Sequence, residues 1–130
     1  MYVLDTNTLI YFFKGSGAVA ENLLAKTPKE IAIPSIVLFE LEVGIAKSTS
    51  PQKRRQQLRE WTSLVQILPF DQPEAFAAAS IRSVLEKQGQ SIGPYDILIA
   101  ATALSYKGIL VTHNTKEFSR VKGLLLEDWY

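Results

Sequence analysis

The chain has 130 residues, is 47% hydrophobic and carries a formal net charge of +1, which fits one globular domain over residues 1–130 and excludes a disordered polybasic tail. It has no Cys and a single His, so a disulfide scaffold, a thiol nucleophile and a multi-His metal site are all excluded. Met1 leads straight into strand-like residues without a leader-like segment, and no apolar run reaches membrane-spanning length, so a soluble cytoplasmic protein is expected.

Tyr2-Val3-Leu4 reads as a short strand, and Thr6-Asn7-Thr8 supplies residues that cap a helix ahead of Leu9, Ile10, Phe12 and Phe13. Asp5 thus falls at a strand C-terminus, where open α/β sheets form their ligand sites, and it is either a ligand there or an Asp that caps the first helix or ends the strand. After a break at Lys14-Gly15-Ser16-Gly17, a short helix is expected over Ala18 to Lys26, closed by Pro28. Ile31-Ala32-Ile33 is a second strand. Ser35 is the expected N-cap of a helix reaching Lys47, apolar over so much of its circumference that it should be mostly buried.

Pro51 opens a helix bearing Lys53, Arg54, Arg55 and Arg59, which is either a solvated face or a surface for an RNA backbone or a partner. Gln66-Ile67-Leu68 is a third strand, and Asp71 with Glu74 forms a capping box for a long helix ending at Gly89, whose Ala75, Ala77, Ala78 and Ala79 permit close packing. Gly93-Pro94 starts a helix from Tyr95 to about Lys107, with Gly108 as its stop. Ile109-Leu110-Val111 is a fourth strand, followed by the loop Thr112-His113-Asn114-Thr115, a helical turn over Lys116 to Ser119 and a last strand, Leu124-Leu125-Leu126. This alternation predicts a three-layer α/β/α fold around a mainly parallel sheet.

Among 13 acidic residues, the informative ones interrupt apolar context. Glu40 lies inside Val37-Leu38-Phe39-Glu40-Leu41, where a carboxylate needs a partner or a metal. Glu42 stands roughly 200° away around the helix and is expected to face solvent. Asp96 sits in the first turn of an otherwise apolar helix, where the helix dipole also favours it. Asn114 and Glu117 follow the fourth strand, spaced like a capping box, on the sheet edge that carries Asp5. Carboxylates gathered at one place repel, and a hard divalent cation with all-oxygen ligation, Mg²⁺ or Mn²⁺, relieves that repulsion. Thr112 and Asn114 are polar supports, Asn7 is a support for the Asp5 carboxylate, and His113 reads as a loop residue.

Four stretches, L-D-T-N-T-L-I-Y-F (Leu4 to Phe12), F-E-L-E-V-G-I-A (Phe39 to Ala46), I-G-P-Y-D-I-L-I-A-A (Ile92 to Ala101) and V-T-H-N-T-K-E-F-S-R-V (Val111 to Val121), occur in this order. With the ending G-L-L-L-E-D-W, the chain resembles the PIN-domain ribonucleases over essentially its whole length, and among them the VapC toxins of type II VapBC toxin-antitoxin systems. The resemblance implies a single PIN domain whose site acids are Asp5, Glu40 and Asp96. The fourth corner departs from many PIN domains, which have an acid near Asn114; this chain is similar to those with Glu at the position of Glu117. The activity implied is Mg²⁺- or Mn²⁺-dependent hydrolysis of tRNA or rRNA, arresting translation, with a VapB-type antitoxin and a homodimer as partners. Tyr11, Phe12 and Phe13 would then be either core or antitoxin surface. Two other readings stand beside this one: a PIN-like binding module without catalysis, and a PIN-type nuclease acting on DNA.

Overall fold

The computed structural model describes Met1–Tyr130. In chain order the elements are β1 (Tyr2–Leu4), α1 (Thr6–Lys14), α2 (Val19–Leu24), a 3-10 turn (Pro28–Glu30), β2 (Ile31–Pro34), α3 (Ser35–Ala46), α4 (Pro51–Thr62), β3 (Gln66–Leu68), α5 (Gln72–Lys87), α6 (Pro94–Ser105), β4 (Ile109–Val111), α7 (Thr115–Phe118) and β5 (Leu125–Glu127). The strands form one sheet in the order β3-β2-β1-β4-β5, every neighbouring pair parallel. Successive strand residues point to opposite faces. All of β2 is buried, as are Val3, Leu4, Leu110 and Val111 in the central strands, so helices carried by the crossovers cover both faces.

The strand order decides where a site can form. Crossovers from β1 through β2 to β3 move one way, and β4 then returns to the far side of β1. The chain therefore diverges from the C-terminal ends of β1 and β4, a switch point that leaves a crevice between departing segments. Asp5 follows β1 there, and Thr112 follows β4, paired in register through Leu4 with Val111.

Several local expectations are adjusted by tertiary context. Pro34, with φ near its ring-imposed value, is the N-cap of α3, and Ser35 is already helical. α3 is far less buried than its composition suggests: Val37, Leu41 and Ile45 are covered, whereas Phe39 and Val43 are 48% and 39% exposed. Of the alanines in α5 only Ala78 is buried; α6, which packs closely against α5, buries Ala100, Ala101 and Ala103. The capping box of Asp71 and Glu74 is present, with Glu74 accepting the Asp71 N–H at 3.0 Å. α6 ends earlier than expected, and the left-handed position after it belongs to Lys107. Gly108 serves another purpose, since a Cβ there would lie 2.6 Å from Val3 Cγ2 inside the sheet. The last strand is shifted by one residue, to Leu125–Glu127.

No helix is long and apolar enough to cross a membrane.

Candidate functional site

Asp5 both caps and faces the crevice. As N-cap of α1 it accepts the Thr8 N–H at 2.8 Å, and at 5% exposure it is one of the few buried acids. Burial pushes its carboxyl above the usual range; hydrogen bonds from Thr112 and Thr8 pull it back without cancelling the rise, and the Glu40 charge adds to it. The Thr8 hydroxyl itself donates to Val111 O at 3.0 Å, tying α1 to the end of β4. Thr112 is completely buried and accepts the Asn114 N–H at 3.0 Å. Asn7, expected to support Asp5, is instead exposed on the outer side of the first turn. Thr8 performs that role through its backbone N–H and side chain, together with Thr112, while Thr6 holds Glu40 instead.

Glu40 is half-buried on α3 and accepts the Thr6 hydroxyl at 2.7 Å, which fixes its rotamer and joins α1 to α3. Glu42 points away, as the helical angle requires, and pairs with Arg55 at 3.3 Å. Asp96 lies in the first turn of α6, where the dipole and free N–H groups stabilise a carboxylate. Burial nevertheless pushes it up to about 6, assisted by the charges of Asp5, Glu40 and Glu117. Desolvation and like charge outweigh the dipole, so these four acids share one electrostatic field. Phe39 and Tyr95, edge to face at 5.5 Å, fasten α3 to α6 beside Glu40 and Asp96.

At the fourth corner Asn114 Nδ2 donates to Glu117 Oε2 at 3.1 Å, so the amide orients the carboxylate. The acid at this corner is thus supplied one helical turn later, from α7. His113 is taken up elsewhere: Nδ1 shares a hydrogen bond with Asp128 Oδ2 at 2.9 Å, and its ring stacks on Tyr130 at 4.2 Å. Tyr11 lies edge-on to both rings, while Phe12 packs on Trp61 at 4.8 Å and Phe13 against the core. Of the basic residues, Arg55 is held by Glu42, Arg54 bonds Gln57 at 3.3 Å, and Lys53 and Arg59 are exposed.

Oxygen donors alone, with excess negative charge, suit a hard divalent cation. No three carboxylates converge as a closed ligand set. Thr6 and Thr8 were not singled out by sequence reasoning; the available signal was their polarity in the first turn after Asp5.

The raised acids have a consequence for stability. Asp96 titrates near 6 in the folded chain and near 3.8 when unperturbed, so its stabilising contribution is complete below about 3.8 and is lost as pH rises through about 6. Metal-free protein should gain stability between pH 7.5 and 5, by about 1 kcal/mol once solvent screening of this half-exposed group is allowed for. Urea midpoints in EDTA, compared with those of Asp96→Asn, test this; equal pH dependence in the two proteins would contradict it.

A family profile described as PIN domain matches residues 2–124. The chain is 36% identical to a tRNA(fMet)-specific endonuclease VapC of Shigella flexneri, covering 98% of this chain and 97% of that one. It is 39% identical to ribonuclease VapC2 of Rickettsia felis, over 99% and 98% of the two chains. The structure superposes on that of DNA-bound VapBC from Salmonella typhimurium with TM-score 0.91 and 35% identity, covering 99% and 98%. With the parallel sheet, its switch-point crevice and the acids around it, these likenesses mean that the chain belongs to the PIN-domain family, within its VapC ribonucleases.

Proposed function

We propose that this chain, as a single PIN domain over residues 1–130, is a Mg²⁺- or Mn²⁺-dependent endoribonuclease, the toxin of a type II VapBC pair. It hydrolyses phosphodiester bonds of tRNA or rRNA in the cytoplasm and so inhibits translation. The observation that carries this reading is the likeness to VapC ribonucleases over nearly the whole chain, and the acids Asp5, Glu40 and Glu117, whose charges all act on Asp96, support it. A divalent cation bound there supplies an activated water and stabilises charge on the phosphate. Asp5, Glu40 and Asp96 would hold it, with Glu117 at the fourth corner. Thr6, Thr8 and Thr112 keep two of these carboxylates oriented, and Asn114 orients Glu117. Lys53, Arg54, Arg55 and Arg59 lie along α4 as contacts for the RNA backbone, with Arg55 shared with Glu42.

The relatives support an antitoxin partner as well. The Salmonella structure is a VapBC complex, and a VapB-type antitoxin is the partner proposed here, together with a homodimer. Exposed Phe39, Val43 and Tyr95 offer apolar surface for such contacts.

Digestion of single-stranded RNA and DNA side by side, with Mg²⁺, with Mn²⁺ and with EDTA, tests the reading. RNA should be cut with either cation, EDTA should stop the reaction, and DNA should remain intact. Equal cutting of DNA would make the chain a DNA nuclease. No cutting, with no cation affinity at millimolar concentration, would leave a binding module.

A further inference from the structure

Three aromatic rings from distant parts of the chain meet where the loop after β4 leaves the sheet. Tyr11 comes from α1, His113 from that loop and Tyr130 from the residues after β5. The His113 and Tyr130 rings are stacked, with centroids 4.2 Å apart and planes 20° from parallel, and Tyr11 stands edge-on to both at 5.9 and 4.9 Å. Nothing within the chain covers the stack: His113 and Tyr130 are each 46% exposed. The rings are nevertheless held in place. His113 Nδ1 lies 2.9 Å from Asp128 Oδ2, and a carboxylate only accepts, so Nδ1 carries the proton while Nε2 has no partner within the chain. Asp128 Oδ1 accepts the Tyr130 N–H at 3.0 Å, and Tyr130 O accepts the Ala18 N–H at 2.6 Å. Gly17 fits beside Tyr130 only because it lacks a Cβ, which would lie 2.6 Å from Tyr130 O and 2.9 Å from its Cγ. The same loop joins the rings to the acids. His113 stands between Thr112, whose side chain bonds Asp5, and Asn114, which orients Glu117, and consecutive Cα atoms are only about 3.8 Å apart.

We propose that the His113–Tyr130 stack is a platform for one unpaired base of the RNA substrate, beside the phosphodiester that is cut. The base extends the stack, and His113 Nε2 is free to hydrogen-bond its edge. Splayed-out bases of single-stranded RNA are held on aromatic side chains in this way, and every base has a π-face, so the contact tolerates any sequence. Rings already fixed by Asp128 and Gly17 lose little freedom when the base arrives. Lys116, exposed and without an ion pair three residues after His113, supplies positive charge for a neighbouring phosphate. The proposal rests on the ribonuclease reading given above.

Steady-state cleavage of bulk bacterial tRNA by the full chain, paired with thermal melts, is the test. Tyr130→Leu keeps an apolar side chain beside Gly17 but has no ring, and His113→Ala removes the other half of the stack. Each should raise KM about tenfold and leave kcat within about threefold, the pattern of a contact made equally in the bound substrate and in the transition state. Tyr130→Phe keeps the ring and should retain the wild-type KM. Should Tyr130→Leu fail to fold, ring-proton NMR decides: a short oligoadenylate added to the Asp96→Asn protein, which should not cut it, should move the His113 and Tyr130 ring signals upfield. An unchanged KM in either ring-deleted variant, or an absence of ring shifts, overturns the platform and leaves the nuclease standing. A fall in kcat alone, matched by Tyr130→Phe, makes the rings a brace for the loop and also overturns it. Ring shifts together with a wild type that cuts no RNA defeat the nuclease reading instead. If Tyr130→Leu keeps its KM but loses the VapB-type antitoxin, the rings belong to the protein partner and the proposal fails.

Discussion

Asp96→Asn is expected to lower RNA cleavage by at least about 10³-fold, equivalent to roughly 4 kcal/mol of transition-state stabilisation, while leaving the metal-free protein slightly more stable than the wild type. The two effects share one cause. In the wild type Asp96 is held half-buried at the α6 N-terminus beside Asp5, Glu40 and Glu117, and its carboxyl is pushed up to about 6. An amide has the same shape and no charge to repel, so it relieves the crowding but binds a hard cation poorly. At pH 7.5 in EDTA the gain should be about 1 kcal/mol, discounted for the half of the group that solvent reaches. Adding Mg²⁺ should raise the melting temperature of the wild type and leave that of the variant nearly unchanged. The measurements are tRNA cleavage rates and thermal melts with and without Mg²⁺. An Asp96→Asn protein that cleaves at full rate would sink the assignment, and one less stable than the wild type in EDTA would refute charge crowding.

Phe118→Ala should have the largest effect on folding, about 3–5 kcal/mol by the usual cost of emptying a buried phenylalanine site. α7 spans only Thr115–Phe118, far too short to persist through its own hydrogen bonds. Phe118, 1% exposed, and Val121, 4% exposed, anchor it to the core. For a chain of this size that loss corresponds to a melting temperature lower by roughly 10–20 °C. Glu117 precedes the anchor and Asn114 bonds it at 3.1 Å, so cleavage should fall further than the unfolded fraction explains when assayed well below the melt. Leu125→Ala is the control: Leu125 lies on the edge strand at 63% exposure and should shift stability by less than about 0.5 kcal/mol. A Phe118→Ala protein melting within a few degrees of the wild type would contradict the anchoring.

Much of the fold is readable from local chemistry. Runs such as Ile109–Val111, short, rich in β-branched residues and preceded by Gly108, read as buried strands between helices. Pro94 after Gly93, and Asp71 with Glu74, mark helix starts through backbone constraint and capping, which act within one turn. The candidate acids stand out in the sequence because Asp5 and Asp96 fall at element ends and Glu40 breaks an apolar run inside α3. Separating Glu40 from Glu42 needed only the helical angle.

Other features depend on contacts between residues far apart in sequence. Composition alone makes α3 look buried, yet Phe39 and Val43 are exposed because the neighbouring helices cover one side of it only. Asn7, Thr6 and Thr8 are equally polar, and only the position of Val111 and Glu40 across the sheet edge selects Thr8 and Thr6 as the working pair. Gly108 looks like a helix stop, but the sheet places Val3 against it. By itself, then, the sequence determined the order of strands and helices and which acids stand at their ends, because strand, cap and turn preferences act over a few residues. Only the tertiary structure decided that Asp5, Glu40, Asp96 and Glu117 share one field and which hydroxyls orient them, because that depends on β4 returning beside β1 and on the burial this creates.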